Sequence, residues 1–150
     1  MRIKKLKSGF EKLTKEKARI IAHLIGDGCA FISNHDYNIK YEVSDTELLN
    51  SFERDVVKVY GLKLMKGSKP SGKTGKLIPF VRLRSKLVYV DLLKCTSSYF
   101  SKDWKIKKVL LNSSNRIKRE FLKAFFDDEG SVFKQQNNGM SKTTRHRRVA

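Results

Sequence analysis

The sequence predicts an α+β fold in which an antiparallel sheet carries its helices on one face. First, apolar helical runs alternate with pairs of short strands, in the order helix, two strands, helix, two strands, helix. Second, an apolar helical run that ends in an acid and a glycine occurs twice, at Ala18–Gly28 and Phe121–Gly130. Third, 150 residues form a single domain's length, and their net charge of +18 indicates a polyanionic partner, above all nucleic acid.

The first helix and the hairpin after it follow from local signals. Thr14 stands where a helix N-cap is expected, and Gly28 ends the apolar run. Cys29–Ser33 is a short strand, residues 34–38 have turn chemistry, and Ile39–Ser44 alternates apolar with polar residues. These two strands are expected to pair.

Three further helices are predicted from their caps and apolar spacing. The second carries an apolar stripe and ends at Gly61, and the last carries the second copy of the motif. The expected N-caps are Ser44 or Asp45 for the second helix, Ser85 for the third, and Ser113 or Ser114 for the last.

The second hairpin contains a misleading motif. Leu62–Met65 is a weak strand, Lys66–Lys76 a Gly-, Ser- and Lys-rich loop, and Leu77–Arg84 a strand. Within the loop, Gly67–Thr74 matches the phosphate-loop pattern of nucleotide hydrolases, which requires a buried strand before it and a helix at its end. Pro79 prevents that helix from continuing, so we expect a basic loop that touches DNA backbone.

The two motif helices carry small residues at corresponding positions. Ala22 and Gly26 lie four residues apart, on one helix face where another backbone can approach closely. Ala124 follows Ala22 by 102 positions and has the equivalent place in the second motif. Ala22, Gly26 and Ala124 are therefore predicted to form a helix–helix interface.

Acids at the ends of both motif helices are unfavourable for the helices themselves. Asp27 lies in the last turn of the first, and Asp127, Asp128 and Glu129 lie in the last turn of the second. Each exposed acid there costs about 0.3–1 kcal/mol against the helix dipole. Folding gives no reason for these acids, whereas a bound cation would remove the penalty.

Together these features resemble the LAGLIDADG homing endonucleases. Residues 20–28 match the nine-residue motif in type, residues 122–130 match it again, and the likeness spans nearly the whole chain. It implies an αββαββα repeat whose sheet forms a DNA-binding saddle. It further implies that Asp27 and Glu129 hold Mg²⁺ for hydrolysis of one phosphodiester in each strand, assisted by Lys105, in an enzyme of intron or intein mobility.

The polar sheet face and its loops supply the expected contacts with double-stranded DNA. A two-stranded ribbon fits the major groove, where arginine pairs with guanine edges, while loop lysines meet phosphate. The expected DNA-binding residues are Lys40, Glu42, Ser44, Lys73, Lys76, Arg82 and Arg84. Two alternatives stay open, namely a non-catalytic DNA-binding regulator on the same scaffold and an RNA-binding intron maturase.

The second repeat is expected to be incomplete. Residues 1–118 form the first repeat with its helix, two hairpins and further helices, and residues 119–150 hold the second motif helix and the start of another repeat. This favours a fragment that forms a homodimer or binds a complementing second half. The N-terminus lacks the apolar segment of a signal peptide and no basic amphipathic helix stands out, so an intracellular, cytoplasmic protein without membrane contact is expected. Cys29 and Cys95 are expected to be free thiols, with no zinc spacing.

Replacing Lys73 tests the rejected phosphate loop. Lys73→Ala should leave ATP binding absent, as in the parent, and should lower the salt slope of DNA binding by about one unit through loss of one phosphate contact. Titrations with DNA and ATP measure both. Micromolar ATP binding that disappears in the variant would contradict the prediction.

Overall fold

The computed structural model describes residues 6–100 and 103–129, and it confirms the predicted α+β class. The elements are α1 (Lys15–Gly26), β1 (Gly28–Ser33), β2 (Asp36–Glu42), α2 (Thr46–Tyr60), β3 (Met65–Pro70), β4 (Leu77–Arg84), α3 (Lys86–Leu92), α4 (Lys108–Leu111) and α5 (Asn115–Glu129). The expected Gly130 helix stop and the strand and basic tail within residues 131–150 lie outside the described residues. Within the described parts, no helix has both the length and the apolar character needed to cross a membrane.

Within the described residues, four strands form one antiparallel sheet in the order β1-β2-β4-β3. The turn between β1 and β2 is shorter than the predicted residues 34–38, because only Asn34 and His35 form it and β2 already begins at Asp36. Both turn residues have positive φ, 49° and 65°. That is the backbone of a two-residue turn whose twist matches the strands, and asparagine and histidine tolerate it better than most residues.

The second hairpin also differs from the prediction. Its first strand is Met65–Pro70 and not Leu62–Met65, so half of the expected Lys66–Lys76 loop is strand. The reason is pairing with β4, which outweighs the strand's own polar composition at the edge of the sheet, where lysine and proline are tolerated. No helix follows Thr74, since β4 begins at Leu77, as the rejection of the phosphate loop requires.

Helix caps follow the sequence prediction closely. Thr14, Asp45 and Ser85 each accept a hydrogen bond from a backbone N–H in the first turn of α1, α2 and α3. Of the two candidates for α5, Ser114 accepts from the Ile117 N–H at 3.3 Å. Gly61 ends α2 with φ of 71° in the left-handed region. The four-residue α4 was not predicted.

Helix α1 occupies the centre of the molecule. It packs on β1 and β2 of the sheet, on α2 and on α5, and its apolar residues from Ala18 to Ile25 are buried. On the core face of the sheet, Ile39 and Tyr41 of β2 and Val81 and Leu83 of β4 are at most 2% exposed, and β4 packs on α2. Helix α1 therefore connects the β1–β2 hairpin with α2 and α5.

Helices α1 and α5 run parallel, with contacts from Arg19–Glu120 to Gly26–Asp128 at their C-terminal ends. Ala22 and Ala124 are both buried, at 0% and 2% exposure. Gly26 lies against Asp128, because a Cβ on Gly26 would stand only 2.7 Å from the Asp128 Cβ. Asp128 follows Gly26 by 102 positions, the same offset that relates Ala124 to Ala22. The two copies of the motif therefore face each other in register.

Adding a methyl group to Gly26 should separate the helices. Gly26→Ala is expected to lower the free energy of unfolding by about 1–3 kcal/mol, because the new Cβ overlaps the Asp128 side chain. Gly72→Ala is the control, since a Cβ at Gly72 meets nothing within 4 Å. Urea denaturation measures both, and equal stabilities of the two variants would contradict the close approach.

Candidate nucleic-acid interface and active site

The face of the sheet turned away from α1 is basic. The register sets Lys40 opposite Arg82 and Asn38 opposite Arg84. Because side chains alternate along a strand, these residues and Glu42 share the outer face, while Tyr41, Val81 and Leu83 point to the core. The structure thus brings Lys40, Glu42, Arg82 and Arg84 together on one surface.

Two of the outer lysines are held by one carboxylate. Glu42 Oε2 lies 3.3 Å from Lys40 Nζ and 3.1 Å from Lys69 Nζ. Lys40 Nζ also lies 4.4 Å from the centre of the Phe80 ring, which attracts a cation at that distance. Glu42 therefore holds both ammonium groups in place and reduces the net positive charge of the cluster.

A groove of about 420 Å³ joins this cluster to the end of α1. Its lining residues are Asp27, Gly28, Cys29, Phe31, Lys40, Glu42 and Lys69. Burial raises the pKa of the Cys29 thiol above its ordinary value, so the groove holds a neutral thiol beside its carboxylates and lysines. The exposed Asp27 thus shares one depression with two cations.

The remaining predicted DNA contacts lie at the margins of the sheet. Lys73 and Lys76 are exposed in the β3–β4 turn, and Ser44 is exposed beyond the end of β2. Arg84 lies at the other end of the face, 3.7 Å from Asp36. A second depression of about 310 Å³ runs past β3 and β4 and is lined by Lys63, Leu64, Met65, Arg82, Leu83 and Arg84.

The predicted metal-binding acids stand at the C-terminal ends of the two parallel helices. Asp27 follows the last residue of α1, and its backbone N–H donates to the His23 carbonyl at 3.1 Å. Glu129 is the last residue of α5, and its side chain lies outside the described atoms. Contact between Gly26 and Asp128 brings the two helix ends together.

Lys105 lies on the connection between α3 and α4. Its side chain is exposed, and its backbone pairs with Ser97, whose N–H donates to the Lys105 carbonyl at 2.9 Å. The neighbouring Trp104 ring packs at 5.9 Å from the Phe125 ring of α5. This contact ties the connection to α5.

Asp128 is accounted for by the fold, contrary to the expectation that folding gives these acids no role. Tyr41 OH donates to Asp128 Oδ1 at 2.6 Å, and His23 Nδ1 lies 2.8 Å from Asp128 Oδ2. The side chains of His23 and Asp128 are 2% and 0% exposed, and burial together with the hydrogen bond to Asp128 raises the pKa of Tyr41. Sequence reasoning missed this network, because its members are 18 to 105 positions apart. The available signals were a histidine inside an apolar helix and an acid at the position equivalent to Gly26.

The carboxylates at the helix ends suit a hard divalent cation that takes only one or two of its ligands from the protein. Among residues 6–100 and 103–128, no cluster of three His, Cys, Asp or Glu side chains could enclose a metal ion. The Asp128 carboxylate is buried and hydrogen-bonded to His23 and Tyr41, so a metal ion from solvent cannot reach it. Magnesium needs only one or two carboxylates when phosphate oxygens and water complete its shell, and Asp27 with Glu129 is a set of that kind.

Comparison with known proteins gives a fold relationship. No protein-family model and no curated protein matches the chain. A structure of mesophilic variants of the homing endonuclease I-DmoI superposes with a TM-score of 0.50 at 14% identity, over 78% of this chain and 58% of that one. I-DmoI in complex with DNA and Mn superposes with a TM-score of 0.49 at 13% identity, over 79% of this chain and 63% of that one. A substituted I-DmoI with its nicked target DNA and Mn superposes with a TM-score of 0.49 at 14% identity, over 78% of this chain and 62% of that one. The chain spans less than two thirds of each of these proteins. The superposition with a TM-score of 0.50 shows that the chain has the homing-endonuclease fold.

Proposed function

We propose that this protein is a site-specific endonuclease of double-stranded DNA that hydrolyses phosphodiesters with a divalent metal, as a homing endonuclease does. The observation that carries the proposal is the groove shared by Asp27, Lys40 and Lys69 on the outer sheet face. It sets a candidate metal carboxylate beside cations suited to phosphate. A protein that only bound DNA would gain nothing from an exposed acid at this point.

The shape and charge of the outer face favour duplex DNA as substrate. Two-stranded ribbons enter the major groove of B-DNA, whereas the major groove of A-form RNA is too narrow for side chains to read. Arg82 and Arg84 both lie on this face of β4, where their guanidinium groups can pair with guanine edges. Lys73 and Lys76 extend the basic surface into the turn, where phosphate contacts add affinity without sequence information.

Asp27 and Glu129 would hold the metal, and the resemblance to homing endonucleases favours Mg²⁺. Such a cation supplies activation of water and stabilisation of the leaving oxygen. The chain's own contribution is to fix the helix ends, to hold Lys40 and Lys69 through Glu42, and to bring the phosphate to the groove. Lys105 would assist from the α3–α4 connection, which contacts α5 through Trp104.

Removing either carboxylate tests the assignment. Asp27→Asn and Glu129→Gln should each abolish cleavage while DNA binding stays equal or tightens, because a charge that repels phosphate is lost. The assay incubates the protein with a random DNA library and Mg²⁺ or Mn²⁺ and sequences the ends. A thermal melt without metal checks that both variants remain folded, so that lost cleavage reflects the lost carboxylate.

Asp36→Asn is the matched control, because it removes one exposed carboxylate from the other end of β2. It should change DNA affinity by a similar small amount and leave cleavage intact. Parent-level cleavage by either Asp27→Asn or Glu129→Gln would contradict the metal assignment. A parent protein that binds duplex DNA but enriches no ends would favour the regulator, and preference for structured RNA would favour the maturase.

We further propose that α5 takes a partner. Ile20 and Leu24 of α1 are both fully buried, yet the residues 102 positions later, Leu122 and Phe126 of α5, are apolar and both 49% exposed. Phe125, by contrast, is buried at 6% exposure. Helix α5 thus presents the apolar positions that α1 buries, and apolar residues so exposed favour association. The chemistry that fits is an apolar sheet or helix face from a second copy or a complementing half.

Replacing the exposed α5 pair should abolish self-association. The parent protein is expected to sediment as a dimer at micromolar concentration, and Leu122→Lys/Phe126→Lys as a monomer. The control is Leu87→Lys/Val90→Lys on α3, where the side chains are 53% and 47% exposed; it should remain a dimer. A parent monomer that cuts both strands at a long asymmetric site would refute the partner, because one sheet cannot read two half-sites.

A further inference from the structure

The two residues that hold the Asp128 carboxylate also hold the backbone on either side of Asp27. His23 and Tyr41 each bind one of its oxygens, at 2.8 Å and 2.6 Å. They are also joined to each other, with 3.2 Å between Tyr41 OH and His23 Nδ1. The network therefore has three members, and each comes from a different element, namely α1, β2 and α5.

On the N-terminal side, Asp27 is tied to the network through the backbone of His23. The Asp27 N–H donates to the His23 carbonyl at 3.1 Å in the last turn of α1. On the C-terminal side the tie is Tyr41, which stands directly opposite Gly28 in the β1–β2 ladder. A shift of either residue therefore moves the chain that carries the Asp27 carboxylate.

Asp128 provides the link to the other acid, because it immediately precedes Glu129 at the end of α5. Its side chain is 0% exposed, and its Cβ lies against Gly26, where no further atom fits. Buried carboxylates are stable only when hydrogen bonds satisfy them, so the last turn of α5 is held at the depth where His23 and Tyr41 reach it.

We propose that His23, Tyr41 and Asp128 are positioning residues that set the separation of the two backbone segments that carry Asp27 and Glu129. This inference rests on the proposed nuclease function. None of the three touches substrate or metal in this role. Their effect is geometric, and a displacement of about 1 Å at a reacting group is enough to lower a rate about a hundredfold.

The chain offers a matched pair of variants for the test. Tyr41→Phe and Tyr60→Phe each remove a fully buried tyrosine hydroxyl that donates to an aspartate at 2.6 Å, Asp128 in one case and Asp91 in the other. Tyr60 and Asp91 lie on α2 and α3, and Asp91 pairs with Lys17 in the first turn of α1, at the opposite end of that helix from Asp27. Similar losses of melting temperature are therefore expected, with different effects on cleavage.

Single-turnover cleavage of a bound DNA site, DNA affinity and melting temperature are measured for each full-length variant in Mg²⁺ and Mn²⁺. Tyr41→Phe should cut about tenfold or more slowly with nearly unchanged affinity, and Tyr60→Phe at the parent rate. His23→Ala should also be slow. His23→Asn should recover part of the rate, because its side-chain amide can still donate toward Asp128.

The outcomes separate this inference from the function on which it rests. If Asp27→Asn is inactive while Tyr41→Phe and His23→Ala cut at the parent rate, the nuclease stands and the positioning role is overturned. The positioning role also fails if Tyr60→Phe is slowed as much as Tyr41→Phe, because stability alone would then explain the loss. A folded parent that cuts no DNA with either metal refutes the proposed function, and this inference with it.

Discussion

The hydrogen bonds of the buried Asp128 carboxylate are the interactions on which the packing of α5 against α1 and β2 depends. Removing a carboxylate from water costs several kcal/mol unless it is hydrogen-bonded, and here α1 and β2 each supply one partner. The contact requires Gly26 to have no side chain. Gly26 and Asp128 therefore fix how closely α5 approaches α1. They also fix where the C-terminal ends of the two helices lie relative to the sheet.

Other polar residues of α1 also reach partners on different elements. Arg19 pairs with Asp55 of α2 and with Glu120 of α5, at 2.8 Å and 2.9 Å, and its hydrogen bond with Asp55 raises the pKa of the guanidinium. Lys17, almost fully buried, lies 2.7 Å from Asp91 of α3. A buried pair such as Lys17–Asp91 adds little net stability, but loss of one partner is costly. The ion pairs that α1 makes therefore specify where α2, α3 and α5 pack against it.

Sequence reasoning predicted the features that are encoded locally. N-caps at Thr14, Asp45 and Ser85 need only a side-chain oxygen within a few residues of the helix start, and the basic face of β4 needs only strand alternation. The offset of 102 that related Ala22 to Ala124 recurs in the contact between Gly26 and Asp128. Features that depend on distant partners were missed. Strand β3 exists because β4 lies beside it, and the Tyr41–Asp128 hydrogen bond spans 87 positions.

The acids at the helix ends show why a pattern alone could not assign the candidate site. In the sequence, all four acids lie at a helix C-terminus, where the helix dipole destabilises a negative charge, namely Asp27, Asp127, Asp128 and Glu129. Burial divides them, because Asp128 has an inaccessible side chain with two partners in the fold, whereas Asp27 and Asp127 are exposed. The interior thus offsets the helix penalty of Asp128, whereas an ion or a ligand from solvent can still reach the exposed acids. Asp27 opens onto a groove that also contains Lys40 and Lys69. In the proposed nuclease, these lysines would attract phosphate and the Asp27 carboxylate would hold the metal.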